Sequence, residues 1–131
     1  GKENILEIGS GSGYVLALLS KISKGKIYGI EIIKELAEQS RENLRKYRNV
    51  NIIYKDGSKG LKEKAPFDRI LISASVDKLP MHLYSQLKNH GVLVAPVRES
   101  IYQIKNEGKK IIKKEFRGFV FVPLKTKNNN L

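Results

Sequence analysis

The sequence predicts an α/β fold: a doubly wound, mostly parallel sheet with an antiparallel hairpin at its C-terminal edge. Three observations predict it. Short apolar runs alternate with segments of helical periodicity from Asn4 to Val97. The first apolar run ends in a glycine-rich turn that opens into a helix. Beyond Arg98 two further runs flank Asn106-Glu107-Gly108-Lys109, a hairpin signal.

Residues 4–8 are a short apolar run before glycines and read as a buried strand. Val15, Leu18, Leu19 and Ile22 then recur at helical spacing, and Gly25 stops the run. Residues 26–31 are the second strand. Ile33, Leu36, Ala37, Ser40, Leu44 and Tyr47 mark one face of a long helix. Its Glu35 and Glu38 lie early and its Arg41, Arg45 and Lys46 late, as the helix dipole favours. Residues 51–56 are the third strand, and the connection 57–66 has room for a turn or two of helix. Residues 67–73 are the fourth strand. Pro80 fits the first turn of a helix carrying Leu83 and Leu87, which Gly91 ends. Residues 92–97 form the fifth strand, with Pro96 near its end. Residues 101–105 and 110–115 form the hairpin, and Phe119 to Val122 is a last apolar run closed by Pro123. The folded domain is expected over residues 1–124, with 125–131 as a polar tail.

Composition narrows the function. A chain of 131 residues, 40% hydrophobic and 29% charged, forms one domain and is not wholly disordered. Cysteine is absent, which excludes disulfides, thiolate metal sites and a cysteine nucleophile. His82 and His90, the two histidines, are not at metal-ligand spacing, so no metal is expected. No apolar run approaches the roughly 18 residues of a membrane span, and no signal peptide is visible, so the expected compartment is the cytoplasm. The formal charge of +12 admits a nucleic-acid partner or a solvated, lysine-rich surface. Lysine predominates and is scattered along the chain, which favours the solvated surface and leaves nucleic-acid binding non-specific.

In a doubly wound sheet the ligand sits beyond the carboxyl ends of the central strands. That directs attention to the residues after Ile8, Glu31, Asp56 and Ser73. After the first strand stands Glu7-Ile8-Gly9-Ser10-Gly11-Ser12-Gly13. The glycines let a ligand approach the backbone, and the following helix turns its N–H groups to the same point. A dinucleotide fingerprint counted from Gly9 requires glycine where Tyr14 stands. A carboxylate at Glu31 suits the two hydroxyls of a ribose, and Asp56 is placed to meet an adenine edge. A nucleoside ligand without a pyrophosphate fits this set better than a dinucleotide.

These residues carry a resemblance. Gly9 to Gly13 with Glu31 and Asp56 is similar to the cofactor site of class I methyltransferases that use S-adenosylmethionine. More narrowly, Leu6 to Tyr14, Tyr28-Gly29-Ile30-Glu31, Asp56-Gly57-Ser58-Lys59-Gly60 and Ala65 to Ile70 resemble protein-L-isoaspartate O-methyltransferases. So do Gln86-Leu87, Leu93-Val94-Ala95-Pro96-Val97 and Phe121-Val122-Pro123-Leu124, in order over nearly the whole chain. The resemblance implies a Rossmann-like fold. It also implies methyl transfer from S-adenosyl-L-methionine to the carboxylate of L-isoaspartyl or D-aspartyl residues in damaged proteins. By the same resemblance Gly9, Ser10 and Gly11 face the methionine part of the cofactor, and Glu31 holds the ribose. Asp56 and Gly57 recognise the adenine. Glu7 orients the loop and reaches the methionine amino group. Gly13 and Ile32 complete the implied cofactor-binding set. Ser73 and Ser75 are the candidates to face the transferred methyl group; the alternative is plain strand-end solvation. The sulfonium methyl is already activated and a carboxylate is ionised at neutral pH, so positioning, worth roughly 7–11 kcal/mol, replaces a general base.

The chain departs from the family pattern at Asp77, where the family has proline, and at Arg98, where it has glycine. It also begins close before Ile5, where the family has a further segment bearing a hydroxyl residue of the substrate site. The expectation is a fragment or reduced form that binds cofactor, positions the peptide poorly and self-associates. Two other readings stay open. One is a nucleic-acid methyltransferase or binding module, although Ser73-Ala74-Ser75-Val76 stands where amine methylation needs Asn/Asp-Pro-Pro-aromatic. The other is a truncated, non-catalytic cofactor-binding domain.

Overall fold

The structure, a computed structural model, describes residues 1–118. The apolar run from Phe119, Pro123 and the tail 125–131 lie outside the described residues. Strands β1 (Ile5–Ile8), β2 (Ile27–Glu31), β3 (Val50–Tyr54), β4 (Phe67–Ile72) and β5 (Leu87–Val97) alternate with helices α1 (Tyr14–Ile22) and α2 (Lys34–Asn43) and two 3₁₀ turns, Lys62–Lys64 and Met81–Gln86. β6 (Ser100–Asn106) and β7 (Ile111–Arg117) follow. The seven strands form one sheet in the order β3-β2-β1-β4-β5-β6-β7. β1 pairs in parallel with β2 on one side and β4 on the other, while β6 and β7 are antiparallel. The expected Rossmann-like α/β sheet with its antiparallel C-terminal edge is therefore present. The chain winds outward to β3 and returns to β4, so the topological switch lies between β1 and β4.

Alternation along the strands sorts the apolar residues into two layers. Ile5 and Ile27 pack with Leu16 of α1 and with Leu44 beyond α2. Leu6, Ile8, Tyr28, Ile30, Ile70 and Ile72 face the other way, against Leu61 and Leu83. In that second layer the Phe67 ring meets Tyr28 edge-on, with centroids 6.0 Å apart.

Three expectations are corrected. α1 buries Leu16, whereas Leu18 and Ile22 of the expected stripe are 46% and 70% exposed. α1 leaves the neighbouring face of β4 and β5 uncovered, where Leu71, Val92 and Val94 line a depression of about 370 Å³. α2 is shorter than its periodicity implied: it ends at Asn43, and Leu44 and Tyr47 pack from the turn beyond it. The helix expected from Pro80 to Gly91 is a 3₁₀ turn, and Leu87 already belongs to β5, paired with Phe67. The second face of the sheet thus carries 3₁₀ turns rather than α-helices among the described residues. Gly91 is not a helix stop but part of a bulge: Phe67 and Arg69 on β4 answer Leu87 and Val92 on β5, with His90 at φ 67°. Leu83 and Leu87 are both buried, as four-residue spacing suggested, but strand pairing takes Leu87.

Gly29 fixes how closely α1 approaches the sheet, because a Cβ there collides with Leu16 Cδ1. Gly29→Ala is expected to destabilise the chain by about 1–3 kcal/mol through overpacking. Urea unfolding measures this, and a variant as stable as the parent would show that α1 lifts off at no cost.

Candidate active site

The switch point gathers three loops. In the first, Gly9 and Ser10 donate to Ile30 O at 2.9 and 3.1 Å, and Gly13 donates to Ser10 O at 3.0 Å. Gly13 stands at φ 94°, and a Cβ there is 2.6 Å from Leu44 Cδ1. Both conditions require glycine at the start of α1. The loop is fastened by Glu31, 5% exposed at the end of β2. One carboxyl oxygen accepts from Gly11 N at 2.8 Å and the other from Ile33 N at 2.8 Å. Ile32 lies half-buried between them in sequence. Glu31 thus contacts the glycine loop's backbone directly.

Glu7 instead joins β1 to the second loop. It is 1% exposed, and Ser73 Oγ donates to its Oε2 in a short hydrogen bond. Its Oε1 and the buried Ser10 Oγ find no hydrogen-bond partner among the described residues. Burial pushes the Glu7 carboxyl up from 4.5 to about 7; the Ser73 bond opposes the shift and nearby Glu31 adds to it. Ser73 N also donates to Ile8 O at 3.0 Å, which holds this loop at the tip of β1. Ser75 is half-buried beyond it.

The third loop follows β3. Asp56 lies beyond the end of the strand and accepts from Ser58 N at 2.9 Å. Gly57 is buried where a Cβ would come within 2.6 Å of Ile8 Cγ2. A cavity of about 350 Å³, largely apolar, opens between Gly57, Ser58, Ile8, Ile72, His82 and Leu83. His82 is exposed yet lines this cavity. His90 lies elsewhere, on β5, with Nδ1 3.3 Å from Glu107. A wider cleft of about 750 Å³ lies past β5 beside Asp77, Arg98 and Tyr102. Arg98 adopts φ 55°, a left-handed conformation that explains why glycine suits this position.

All the sequence-designated residues thus stand around one end of the sheet. Gln86 and Ser58 were missed. Gln86 Oε1 accepts from Leu61 N and its Nε2 donates to Lys59 O, contacts 25 and 27 residues apart in sequence. The available signal was a polar residue one step before Leu87 in an apolar stretch. Among the described residues no group of three or more metal-binding side chains occurs, and no helix is long and apolar enough to cross a membrane.

Sheet order and glycine loop place the chain in the Rossmann-like class, and the solved structures it resembles are methyltransferases. Residues 1–129 match the family model for protein-L-isoaspartate(D-aspartate) O-methyltransferase. A protein-L-isoaspartate O-methyltransferase of Pyrobaculum islandicum is 42% identical over 130 residues, covering 92% of this chain and 63% of its own length. That of Pyrococcus horikoshii is 42% identical over 129 residues, covering 92% of this chain and 59% of its own. Among solved structures, a Plasmodium falciparum protein described as a protein-L-isoaspartate O-methyltransferase, in complex with S-adenosyl-L-homocysteine, superposes with TM-score 0.80 at 29% identity. It is covered over 66% of its chain, and covers 94% of this one. The chain belongs to the protein-L-isoaspartate(D-aspartate) O-methyltransferase family. It spans about three-fifths of the length of these curated relatives, 63% and 59%.

The raised Glu7 carboxyl has a consequence for stability. Between pH 4.5 and about 7 the folded chain holds a proton that the unfolded chain has released. Its stabilising effect is therefore complete below 4.5 and is lost as pH rises through 7, by about 3 kcal/mol in all. Glu7→Gln is expected to flatten this part of the pH–stability curve in denaturant titrations. Parallel curves for parent and variant would contradict the assignment.

Proposed function

We propose that the chain is the S-adenosyl-L-methionine-binding part of an enzyme that methylates the free carboxylate of L-isoaspartyl or D-aspartyl residues in proteins. One observation carries the reading: Glu31 spans the glycine loop and the residue that opens α2, with one amide on each oxygen. A carboxylate has about four acceptor sites, so this arrangement leaves capacity for two ribose hydroxyls. The rest of the site suits the same ligand. The unpartnered Glu7 Oε1 and Ser10 Oγ provide polar atoms for the methionine end, with Gly9 and Gly11 beside them. Gly57, next to Asp56 in the chain, lines an apolar cavity fit for adenine. Gly13 and Ile32 flank the two ends of this set.

When bound, the cofactor supplies an activated methyl group, which a carboxylate accepts without a general base. The chain's own part is then to bind, orient and exclude water. Ser73 and Ser75, just beyond β4, are the proposed residues to meet the acceptor; the bond that tethers Ser73 to Glu7 supports that reading. The lysine-rich surface is read as solvated, with Lys113 and Lys114 on the exposed strand β7 guarding a sheet edge.

The test has two parts. S-adenosyl-L-homocysteine is titrated calorimetrically into the 131-residue chain. Glu31→Ala is expected to weaken binding about tenfold to a hundredfold, the worth of hydrogen bonds to a charged group. Methyl transfer is then measured on paired isoaspartyl and aspartyl peptides. Transfer confined to the isoaspartyl peptide is expected, and slow, since the chain spans 63% of its Pyrobaculum relative. Equal transfer to both peptides would remove the substrate assignment, and unaltered binding by Glu31→Ala would remove the ribose assignment.

A further inference from the structure

The loop after β3 is held from one side by the 3₁₀ turn Met81–Gln86. His82 Nε2 lies 2.6 Å from Ser58 O. A carbonyl oxygen only accepts, so Nε2 carries the hydrogen. Gln86, one turn further on, donates from Nε2 to Lys59 O at 2.8 Å and accepts from Leu61 N at 2.9 Å. Three successive stretches of the loop backbone are thus pinned by two side chains. Gln86 is 3% exposed, so its contacts lie in a low-dielectric setting and leave no water to replace them. Its carboxamide occupies the space beside Gly60, where a Cβ would lie 2.7 Å from Nε2 and where φ is +68°. On its opposite side the loop rests, through Gly57, on Ile8 and Ile30. Inside it, Gly60 N donates to Gly57 O at 2.9 Å.

This loop carries Asp56 and Gly57, and His82 also walls the adjoining cavity. A loop clamped in one conformation loses less freedom when a ligand docks on it. We propose that His82 and Gln86 are positioning residues that hold the 56–60 loop in the shape that recognises the purine of the cofactor, and so set both affinity and base selectivity. The inference rests on the reading of the chain as an S-adenosylmethionine-binding domain. Neither side chain touches the reacting atoms. Their effect passes through the Ser58 and Lys59 carbonyls to the backbone of Gly57.

The experiment compares two ligands by titration calorimetry: S-adenosyl-L-homocysteine and S-inosyl-L-homocysteine, which differ at the base alone. His82→Ala is expected to weaken the adenosyl ligand about three- to tenfold, the worth of one neutral hydrogen bond. It is expected to narrow the ratio between the two ligands while leaving the melting temperature within about 2 °C of the parent, since the side chain is exposed. His82→Gln, whose carboxamide N–H reaches the same carbonyl, is expected to restore both quantities. Gln86→Glu sets an oxygen against the Lys59 carbonyl and is expected to shift affinity and ratio in the same direction. If this buried variant fails to fold, the His82 pair decides. A parent chain that binds S-adenosyl-L-homocysteine, with His82→Ala unchanged in affinity and ratio, would overturn the positioning role and leave the cofactor reading intact. A loss that is equal for both ligands, or that His82→Gln does not repair, would overturn it as well. A parent that binds neither ligand would remove the cofactor reading and this inference together.

Discussion

Both oxygens of Glu31 accept backbone N–H groups, Gly11 on one and Ile33 on the other, each at 2.8 Å. Those two amides belong to different elements, the glycine loop and the entry to α2. A single nearly buried side chain therefore ties the glycine loop to the entry of α2. Much else is built around that tie. α1 begins where the loop ends, and it presses Leu16 onto Gly29, two residues before Glu31 on the same strand. The closeness of Glu7 and Glu31 is part of the same arrangement. Burial raises the Glu7 carboxyl, and the nearby Glu31 adds to the shift.

Each loop at this end of the sheet is held by a side chain from another element. Glu31 secures the glycine loop, Glu7 secures the segment after β4 through Ser73, and His82 with Gln86 secures the segment after β3. Backbone irregularity is thus confined to places where side chains from regular or tightly packed elements support it. That is how a scaffold of strands gives loops a defined geometry without burying unsatisfied peptide groups.

Sequence periodicity was informative wherever one local rule decided the outcome. Strands β1 to β4 and the 92–97 part of β5 are short apolar runs, and each was visible as such. The glycine loop was legible because positive φ at Gly13 leaves few alternatives. Periodicity failed where distant partners compete for a residue. Leu83 and Leu87 have helical spacing, but pairing with Phe67 draws Leu87 into β5, and a bulge absorbs His90 and Gly91. In α1 the apolar residues exceed one face, so spacing alone did not single out Leu16. The site followed the same division. Glu31 was legible as a residue at a strand end, and Asp56 lies two residues beyond the end of β3. The grip of Gln86 on Lys59 and Leu61 was not, since those residues are far apart in the chain and meet only in the folded sheet.

The switch point between β1 and β4 also bears on the order in which the molecule is made. β1, α1 and β2 are neighbours in sequence, so the glycine loop and its tether to Glu31 close short loops. The tie between Glu7 and Ser73 joins residues 66 apart, and pairing of β4 with β1 has to bridge that interval. Loop-closure entropy places such long-range pairing among the slow events of folding. A nascent chain therefore acquires the first wall of its ligand pocket well before the last. A molecule that needs both walls can reward only the finished domain, acting as a brake on unfolding rather than as a template for assembly.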